Sequence, residues 1–225
     1  MKLAFITGVL LTMGGTAFAA PCTNGSLQAY INLGGGGCQL GVVTFSGFQV
    51  VPGQAAATAI SPTGVQFTPG GSSFNPSLRI GLTNPTASSG ALLESIFRFS
   101  VSGAHLVGAS VSLAGSVTGD GVLTNVLDVC PGASFSGNSP IGCPNTAVSA
   151  ITFIEANNRQ LTETAGPFNT GFFDVFVDLT LDGGANGSAT LSSATVGVTA
   201  TPEPSAGLLF AFGLAAIAGL KARRN

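Results

Sequence analysis

Charged side chains are scarce in this chain: lysine, arginine, aspartate and glutamate together make up 7% of it, against about 25% in ordinary soluble domains. Between residues 20 and 200 the only basic residues are Arg79, Arg98 and Arg159. Three cations cannot form the phosphate-neutralising patch that nucleic-acid binding needs, so this class of function is excluded. The shortage of charge also excludes a charge-rich disordered tail.

The chain has no tryptophan, one tyrosine (Tyr30) and one histidine (His105). The two residue types that most often stack on sugar rings are therefore nearly absent, which disfavours an aromatic sugar-binding platform. His105 would be the only base for a Ser-His-Asp triad, and no Gly-x-Ser-x-Gly elbow accompanies it, so we predict a surface or strand-edge histidine. We predict no catalytic residue and no cofactor, and we do not expect the chain to be an enzyme.

Apolar residues, in contrast, are plentiful at 45% of the chain. Glycine (33) and proline (12) are numerous, but together they stay below the roughly 25–30% that is typical of low-complexity chains. The composition therefore predicts a folded core.

Residues 1–19 have the pattern of a secretory signal peptide. Lys2 provides the positive start, residues 3–12 the apolar run, and Ala17-Phe18-Ala19 the small-residue site, so we predict cleavage after Ala19. An uncleaved membrane anchor is disfavoured, because the apolar run is well short of about 20 residues. A lipoprotein signal at Cys22 is set aside, because the residues before it lack the expected pattern.

The other end carries three features in order: Pro202-Glu203-Pro204, an uncharged apolar stretch at 205–220, and a basic cluster of Lys221, Arg223 and Arg224. As a helix, the stretch would be about 24 Å long. This is slightly short for a bilayer core of about 30 Å, but workable when basic side chains snorkel. The basic cluster is expected in the cytoplasm, which places the intervening chain outside the inner membrane.

This order of features resembles the PEP-CTERM sorting signal of Gram-negative bacteria, and the resemblance covers residues 201–225. The tail is also described as an ice-binding-protein C-terminal domain, a label that does not itself mean ice binding. The resemblance implies a transient partner, an exosortase. This membrane transpeptidase processes its substrates near Pro-Glu-Pro and is usually associated with exopolysaccharide production. The alternative is a plain C-terminal tail anchor. Residues 22–50 are loosely similar to the start of many secreted PEP-CTERM proteins of unassigned activity.

Between the ends, residues 20–200 are predicted to form one exported domain, with three arginines against eight carboxylates and a formal charge of −5. Alternating apolar and polar residues predict strands, most clearly at 171–182. The other predicted strands are 42–51, 64–68, 77–83, 96–102, 107–113, 122–129, 148–155, 159–164 and 188–199. This pattern predicts an all-β fold, an antiparallel sandwich or barrel, of which we favour a jelly-roll or Ig-like β-sandwich.

Two local elements are predicted from turn and capping signals. Thr118-Gly119-Asp120-Gly121 separates strands 107–113 and 122–129, which predicts a hairpin. The one predicted helix of the domain is 27–33, with Ser26 as its N-cap and the following glycine run as its end.

Four cysteines in an exported chain indicate two disulfides, for which three connectivities are possible. We favour Cys22–Cys38 and Cys130–Cys143, because each pair is close in sequence and encloses a turn-rich segment. A thiolate metal site is the alternative. It is disfavoured because no Cys-x-x-Cys or nearby histidine is present, so no metal site is predicted.

The most suggestive carboxylates are Asp174, Asp178 and Asp182, which share one face of the predicted strand 171–182. Four residues of a strand span about 13 Å, too far for a shared ion or a glycosidase pair, so we predict a solvated face. A calcium loop at 182–186 is a weaker alternative. Phe176 on the same face could stack on a sugar ring, but cover by a neighbouring strand or loop is favoured. Ice binding is disfavoured, because Thr-x-Thr pairs are isolated.

We therefore expect an exported, non-enzymatic cell-surface or extracellular-matrix protein, held first as a membrane-anchored precursor and then processed by an exosortase. The alternative is a carbohydrate- or calcium-binding adhesion module associated with exopolysaccharide. The sequence predicts no nucleic-acid partner.

Overall fold

The computed structural model describes residues 19–202, which fold into an all-β body with one short α-helix. The predicted signal peptide up to Phe18 and the predicted tail from Glu203 onward lie outside the described residues. Within 19–202, no helix is long and apolar enough to cross a membrane.

Fifteen strands form one hydrogen-bonded sheet within the described residues, and nearly all of their pairings are antiparallel. In chain order the strands are β1 (Ala20–Pro21), β2 (Gly25–Ser26), β3 (Cys38–Leu40), β4 (Val43–Val51), β5 (Thr58–Ala59), β6 (Val65–Gly71), β7 (Pro76–Leu82), β8 (Thr86–Ala87), β9 (Leu92–Thr118), β10 (Val122–Pro131), β11 (Val148–Ile154), β12 (Arg159–Gln160), β13 (Thr162–Ala165), β14 (Thr170–Asp182) and β15 (Ser188–Ala200). Helix α1 is Leu27–Ile31, and short 3₁₀ turns occupy Gly34–Gly36 and Pro140–Gly142.

Strand β9 organises the sheet. It is 27 residues long. Its first half, up to Gly103, pairs with β4 and with β14 from Phe172 onward. Its second half, from Leu106, pairs with β13 and β15 and, at Leu106 alone, with Thr170 of β14. The chain bends between the halves at His105, which has a φ of 50°. The prediction of two separate strands at 96–102 and 107–113 is therefore wrong, because the bend redirects the strand without ending it.

The two halves of β9 divide the sheet into two portions that share one core. The first portion contains the first half of β9 with β3, β4, β10, β11, β12 and β14, and the second contains the second half with β2, β6, β7, β13 and β15. Phe97 and Phe99 from one half, and Val111 and Leu113 from the other, belong to the same buried cluster. Burial of apolar side chains by both portions therefore stabilises them together.

The predicted hairpin between β9 and β10 is wrong. The turn itself forms, with Gly119 at a φ of 56° and the Gly121 N–H donating to the Thr118 carbonyl at 3.0 Å. After it, however, β10 pairs with β11 and β14 in the first portion, whereas the end of β9 pairs with β15 in the second. The turn therefore connects the two portions of the sheet. The Asp-Gly signal correctly predicted a tight turn, but it did not show which strand β10 pairs with.

Most other predicted strands are confirmed within a few residues, including 42–51, 122–129, 171–182 and 188–199. The predicted strand 159–164 is divided at Leu161, whose carbonyl accepts the Leu113 N–H at 2.9 Å. Helix α1 begins as predicted, with the Ser26 Oγ accepting the Ala29 N–H at 3.2 Å.

Tyr30 of α1 is 3% exposed and packs edge-on against Phe48 and Phe67, with ring centroids 5.0 and 4.9 Å away. Its hydroxyl donates to the Thr23 carbonyl at 2.9 Å. Burial of the phenol raises the pKa of Tyr30 to about 12, because charging it in an apolar site is costly.

Alkaline titration tests this burial directly, because Tyr30 is the single tyrosine and tryptophan is absent. We expect the tyrosinate absorbance of the folded protein to give a pKa of about 12, and that of the denatured protein about 10. Since the folded value is the higher one, the stabilisation is complete below about pH 10 and is lost as pH rises towards 12. Circular dichroism at each pH defines where the fold persists. A folded-state pKa near 10 would contradict the packing of α1.

Candidate functional site

Both favoured disulfides are formed. Cys22–Cys38 and Cys130–Cys143 have Cα atoms 4.8 and 5.5 Å apart, and no cysteine is free. The first bridge ties the end of β1 to the start of β3. The second closes a loop over the outer face of the first portion. We call residues 131–147 the cap loop.

Beneath the cap loop lies a buried ion pair. An Asp174 carboxylate oxygen is 3.1 Å from an Arg98 guanidinium nitrogen, with side-chain exposures of 1% and 15%. The Asp174 carboxylate also accepts the Phe135 N–H at 3.1 Å and the Ser100 hydroxyl at 3.2 Å. Arg98 donates in addition to the Gly137 carbonyl at 2.6 Å. The two charged side chains thus bind the cap loop to strands β9 and β14.

The prediction of a solvated carboxylate face is wrong for Asp174. Burial raises the pKa of its carboxyl, and the Arg98 charge and the hydrogen bonds oppose this shift. No sequence signal pointed to Arg98, because its partner lies on a strand much later in the chain and only the register brings them together.

Phe176 is covered by the cap loop, as the favoured interpretation predicts, and is not an exposed sugar platform. Its side chain is 4% exposed, and its ring packs edge-on against Phe135 with centroids 6.1 Å apart. Val51 and Cys130 complete this small apolar cluster, which is separate from the main core. The cluster gives the disulfide-closed loop an apolar anchor beside the ion pair.

Further along the same outer face, Asp178 lies between two other carboxylates. Burial raises the pKa of Asp178, and so do the charges of Glu94 and Asp128, whereas a hydrogen bond from Thr180 lowers it. Glu94 is 2% exposed and accepts the Gln54 N–H at 2.6 Å. Among residues 19–202, no three His, Cys, Asp or Glu side chains are grouped in a way that could hold a metal ion.

In the loop suggested for calcium, 182–186, the nearby carboxylates accept hydrogen bonds from backbone N–H groups of the loop. One Asp182 oxygen accepts the Gly184 N–H at 2.8 Å. Asp120 from the β9–β10 turn lies opposite, and its two oxygens accept the N–H groups of Ala185 and Asn186 at 2.9 and 2.8 Å. The backbone hydrogen bond from Asn186 is the main cause of the lowered pKa of Asp120. These carboxylates therefore stabilise a turn.

The chain leaves the sheet beside the bend in β9. The Thr201 N–H donates to the His105 carbonyl at 2.9 Å, and Pro202, the first residue of the predicted sorting motif, is exposed. His105 is itself exposed, as predicted. The other predicted site residues of this end, Glu203, Pro204, Lys221, Arg223 and Arg224, lie outside the described residues.

The described part of the chain has an open, polar cleft. It measures about 570 Å³ and lies between β9 at Gly115–Val117 and the turn from β11 to β12. Glu155, Asn157, Asn158 and Arg159 line it. These side chains can donate and accept hydrogen bonds, but no nucleophile with an adjacent base is among them.

No protein-family model matches this chain, and a comparison with curated proteins found no significant match.

The buried ion pair has a measurable consequence. Removing one member of such a pair leaves an uncompensated buried charge and typically costs about 3–5 kcal/mol. We therefore expect Asp174→Ala to lower the free energy of unfolding by about that amount in chemical denaturation. The control is Asp128→Ala, which removes a carboxylate that accepts the Ser149 hydroxyl on the neighbouring strand and should cost about 1 kcal/mol or less. Equal effects would contradict the anchoring role.

Asp178 gives a pH-dependent prediction. Its folded pKa is raised above the unfolded value, so its contribution to stability is present at low pH and is lost as pH rises through the folded pKa. We expect Asp178→Asn to be more stable than the wild type at pH 7 and equal to it near pH 3, as measured by urea denaturation. A variant less stable than the wild type at pH 7 would contradict the crowding of the three carboxylates.

Proposed function

We propose that this chain is exported across the inner membrane of a Gram-negative bacterium and processed at both ends, leaving a non-enzymatic β-domain at the cell surface or in the extracellular matrix. The observation that carries the proposal is the extent of the folded body. Its first strand begins at Ala20 and its last ends at Ala200. The described sheet therefore begins directly after the predicted cleavage site at Ala19 and ends two residues before Pro202.

The disulfides support export. All four cysteines are paired, and such pairs form and persist in the periplasm and outside the cell, where the environment is oxidising. Cleavage after Ala19 would leave Ala20 as the first residue. The exposed strand Ala20–Pro21 is then held to β3 by Cys22–Cys38.

The position of the chain exit supports C-terminal processing. Within residues 19–202, Thr201 is the last residue hydrogen-bonded to the sheet, and Pro202 after it is exposed. Two prolines around Glu203 disfavour a helix and favour an extended segment, the form in which a protease-like active site binds its substrate. In this proposal the exosortase acts on that segment while residues 205–220 hold the precursor in the membrane and the basic cluster stays in the cytoplasm. The identity of the enzyme rests on the resemblance to the PEP-CTERM signal.

For the finer fold we propose a two-layer β-sandwich. The shared core between the halves of β9 supports this description. The two layers are then the two portions of the sheet, joined by the bend at His105.

A second candidate is an adhesion module that binds carbohydrate without chemically altering it. The resemblance to the PEP-CTERM signal makes exopolysaccharide the carbohydrate of this candidate. Its support is the polar, sparsely charged surface, which is rich in hydroxyl groups. The calcium-dependent form of this candidate has no comparable support, since Asp182 in the 182–186 loop and Asp120 opposite it accept backbone N–H groups.

Mass spectrometry of the protein from exosortase-containing cells tests the leading proposal. We expect the wild-type protein to begin at Ala20 and to have lost residues 205–225. Replacing Pro202, Glu203 and Pro204 together by alanine should leave the tail attached and the protein in the membrane fraction. The matched control replaces Pro52 and Gln54, two exposed loop residues, and should be processed normally. An intact tail on the wild-type protein, or normal processing of the triple variant, would overturn the proposal.

A further inference from the structure

The outer face of the second portion is built almost entirely from small hydroxyl-bearing residues and glycine. We call it the hydroxyl face, and it spans strands β13, β9, β15, β7 and β6. Inward residues such as Val111 and Val196 are buried, so their neighbours in sequence point outward. The outward residues include Thr68, Ser77, Gly81, Ser110, Ser112, Ser116, Thr162, Thr164, Thr190, Ser193, Thr195, Gly197 and Thr199.

The strand register arranges these residues in rows. One row crosses all five strands, because Thr162 and Thr195 both lie opposite Ser112, and Thr195 and Thr68 both lie opposite Arg79. Neighbouring strands are about 4.8 Å apart, and alternate residues of a strand about 6.7 Å. The hydroxyl groups therefore form a two-dimensional grid from segments far apart in the sequence.

Arg79 is the one charged side chain in this row. It is exposed, and among the described residues it has neither an ion pair nor a side-chain hydrogen bond. The carboxylates lie elsewhere. Asp174 and Asp178 are on the outer face of the first portion, and Asp120 is at a turn. Glu163 of β13 points away from the hydroxyl face, since its carboxylate accepts the Ile151 N–H of β11.

The face is also open and shallow. Residues 110–112 and 162–164 line a depression of about 500 Å³. Glu163 is part of this lining, but its carboxylate is engaged by the Ile151 N–H. Small side chains and glycine leave the backbone close to the surface, so an extended polymer can approach the hydroxyl groups.

The side chains of the hydroxyl face determine which class of ligand can bind there. A single cation is too few for nucleic acid, and the row has no large apolar side chain with which to bury a membrane or an apolar protein surface. Hydroxyl groups can donate to and accept from sugar hydroxyls. A guanidinium surrounded by no competing carboxylate can bind a ligand carboxylate through two parallel hydrogen bonds.

We propose that the hydroxyl face binds a carboxylated polysaccharide, with Arg79 pairing to a sugar carboxylate and the serine and threonine rows binding the sugar hydroxyls. This inference rests on the second proposed function and gives it a surface and a ligand class. It places the binding surface on the second portion of the sheet, away from the cap loop. Ser116, at one end of the face, also lines the polar cleft.

The test uses the mature protein with two matched probes, polygalacturonate and its methyl ester, which differ in the free carboxylate. We expect the wild type to bind polygalacturonate at least tenfold more tightly than the ester in biolayer interferometry. Arg79→Ala should remove most of that preference, and Arg79→Lys should restore it only in part, because an ammonium cannot bind in the bidentate mode. Thr195→Val, which removes one hydroxyl from the row, should weaken binding several-fold.

The matched control is Arg159→Ala, which removes an exposed arginine of β12 from the polar cleft. Thermal melts establish that each variant is folded. If Arg159→Ala weakens binding and Arg79→Ala does not, the ligand lies in the cleft and the inference is overturned while carbohydrate binding stands. If the wild type binds neither probe, both the inference and the second proposed function fail. Inhibition of ice recrystallisation without polysaccharide binding would likewise overturn the inference.

Discussion

The bend in β9 is the constraint on which the rest of the structure depends. One uninterrupted strand supplies hydrogen-bond partners to β4 and β14 before His105, and to β13 and β15 after it. Because alternate side chains of both halves enter one core, neither portion can bury its apolar face without the other. The carbonyl of His105 also holds Thr201, so the same bend fixes the point where the chain leaves the sheet.

This arrangement gives the two outer faces different chemistry. On the first portion, carboxylates gather around Arg98, and the disulfide-closed cap loop covers part of them. On the second portion, the outward positions hold serine, threonine and glycine around Arg79. A domain with few charges thus concentrates its acidic groups on one side. The other side is left nearly neutral, and it is the side that we propose for binding an acidic polymer.

Features that depend on neighbouring residues could be predicted from the sequence: the alternation at 171–182, the Ser26 cap and the disulfides, whose cysteines are close in the chain. Features set by strand register could not. Local turn signals placed a hairpin after Thr118, although β10 pairs in the other portion. Alternation along the strand predicted a solvated Asp174. The sequence did not show that the cap loop covers this side chain or that strand pairing brings Arg98 beside it. Thr162, Thr164 and Thr199, from the isolated Thr-x-Thr pairs, likewise became parts of rows only through the register of β9, β13 and β15.

Native-state hydrogen exchange of β9 tests the central claim most directly, because it measures the stability of each half of the strand separately. If the shared strand and core make the two portions one cooperative unit, the amides of Phe99 and Val111 should exchange with the same free energy of opening, equal to that of global unfolding. The Asp174→Ala variant should lower both values equally. If the amide of one half opened at a clearly lower free energy than that of the other, the portions would unfold independently and the account would be contradicted.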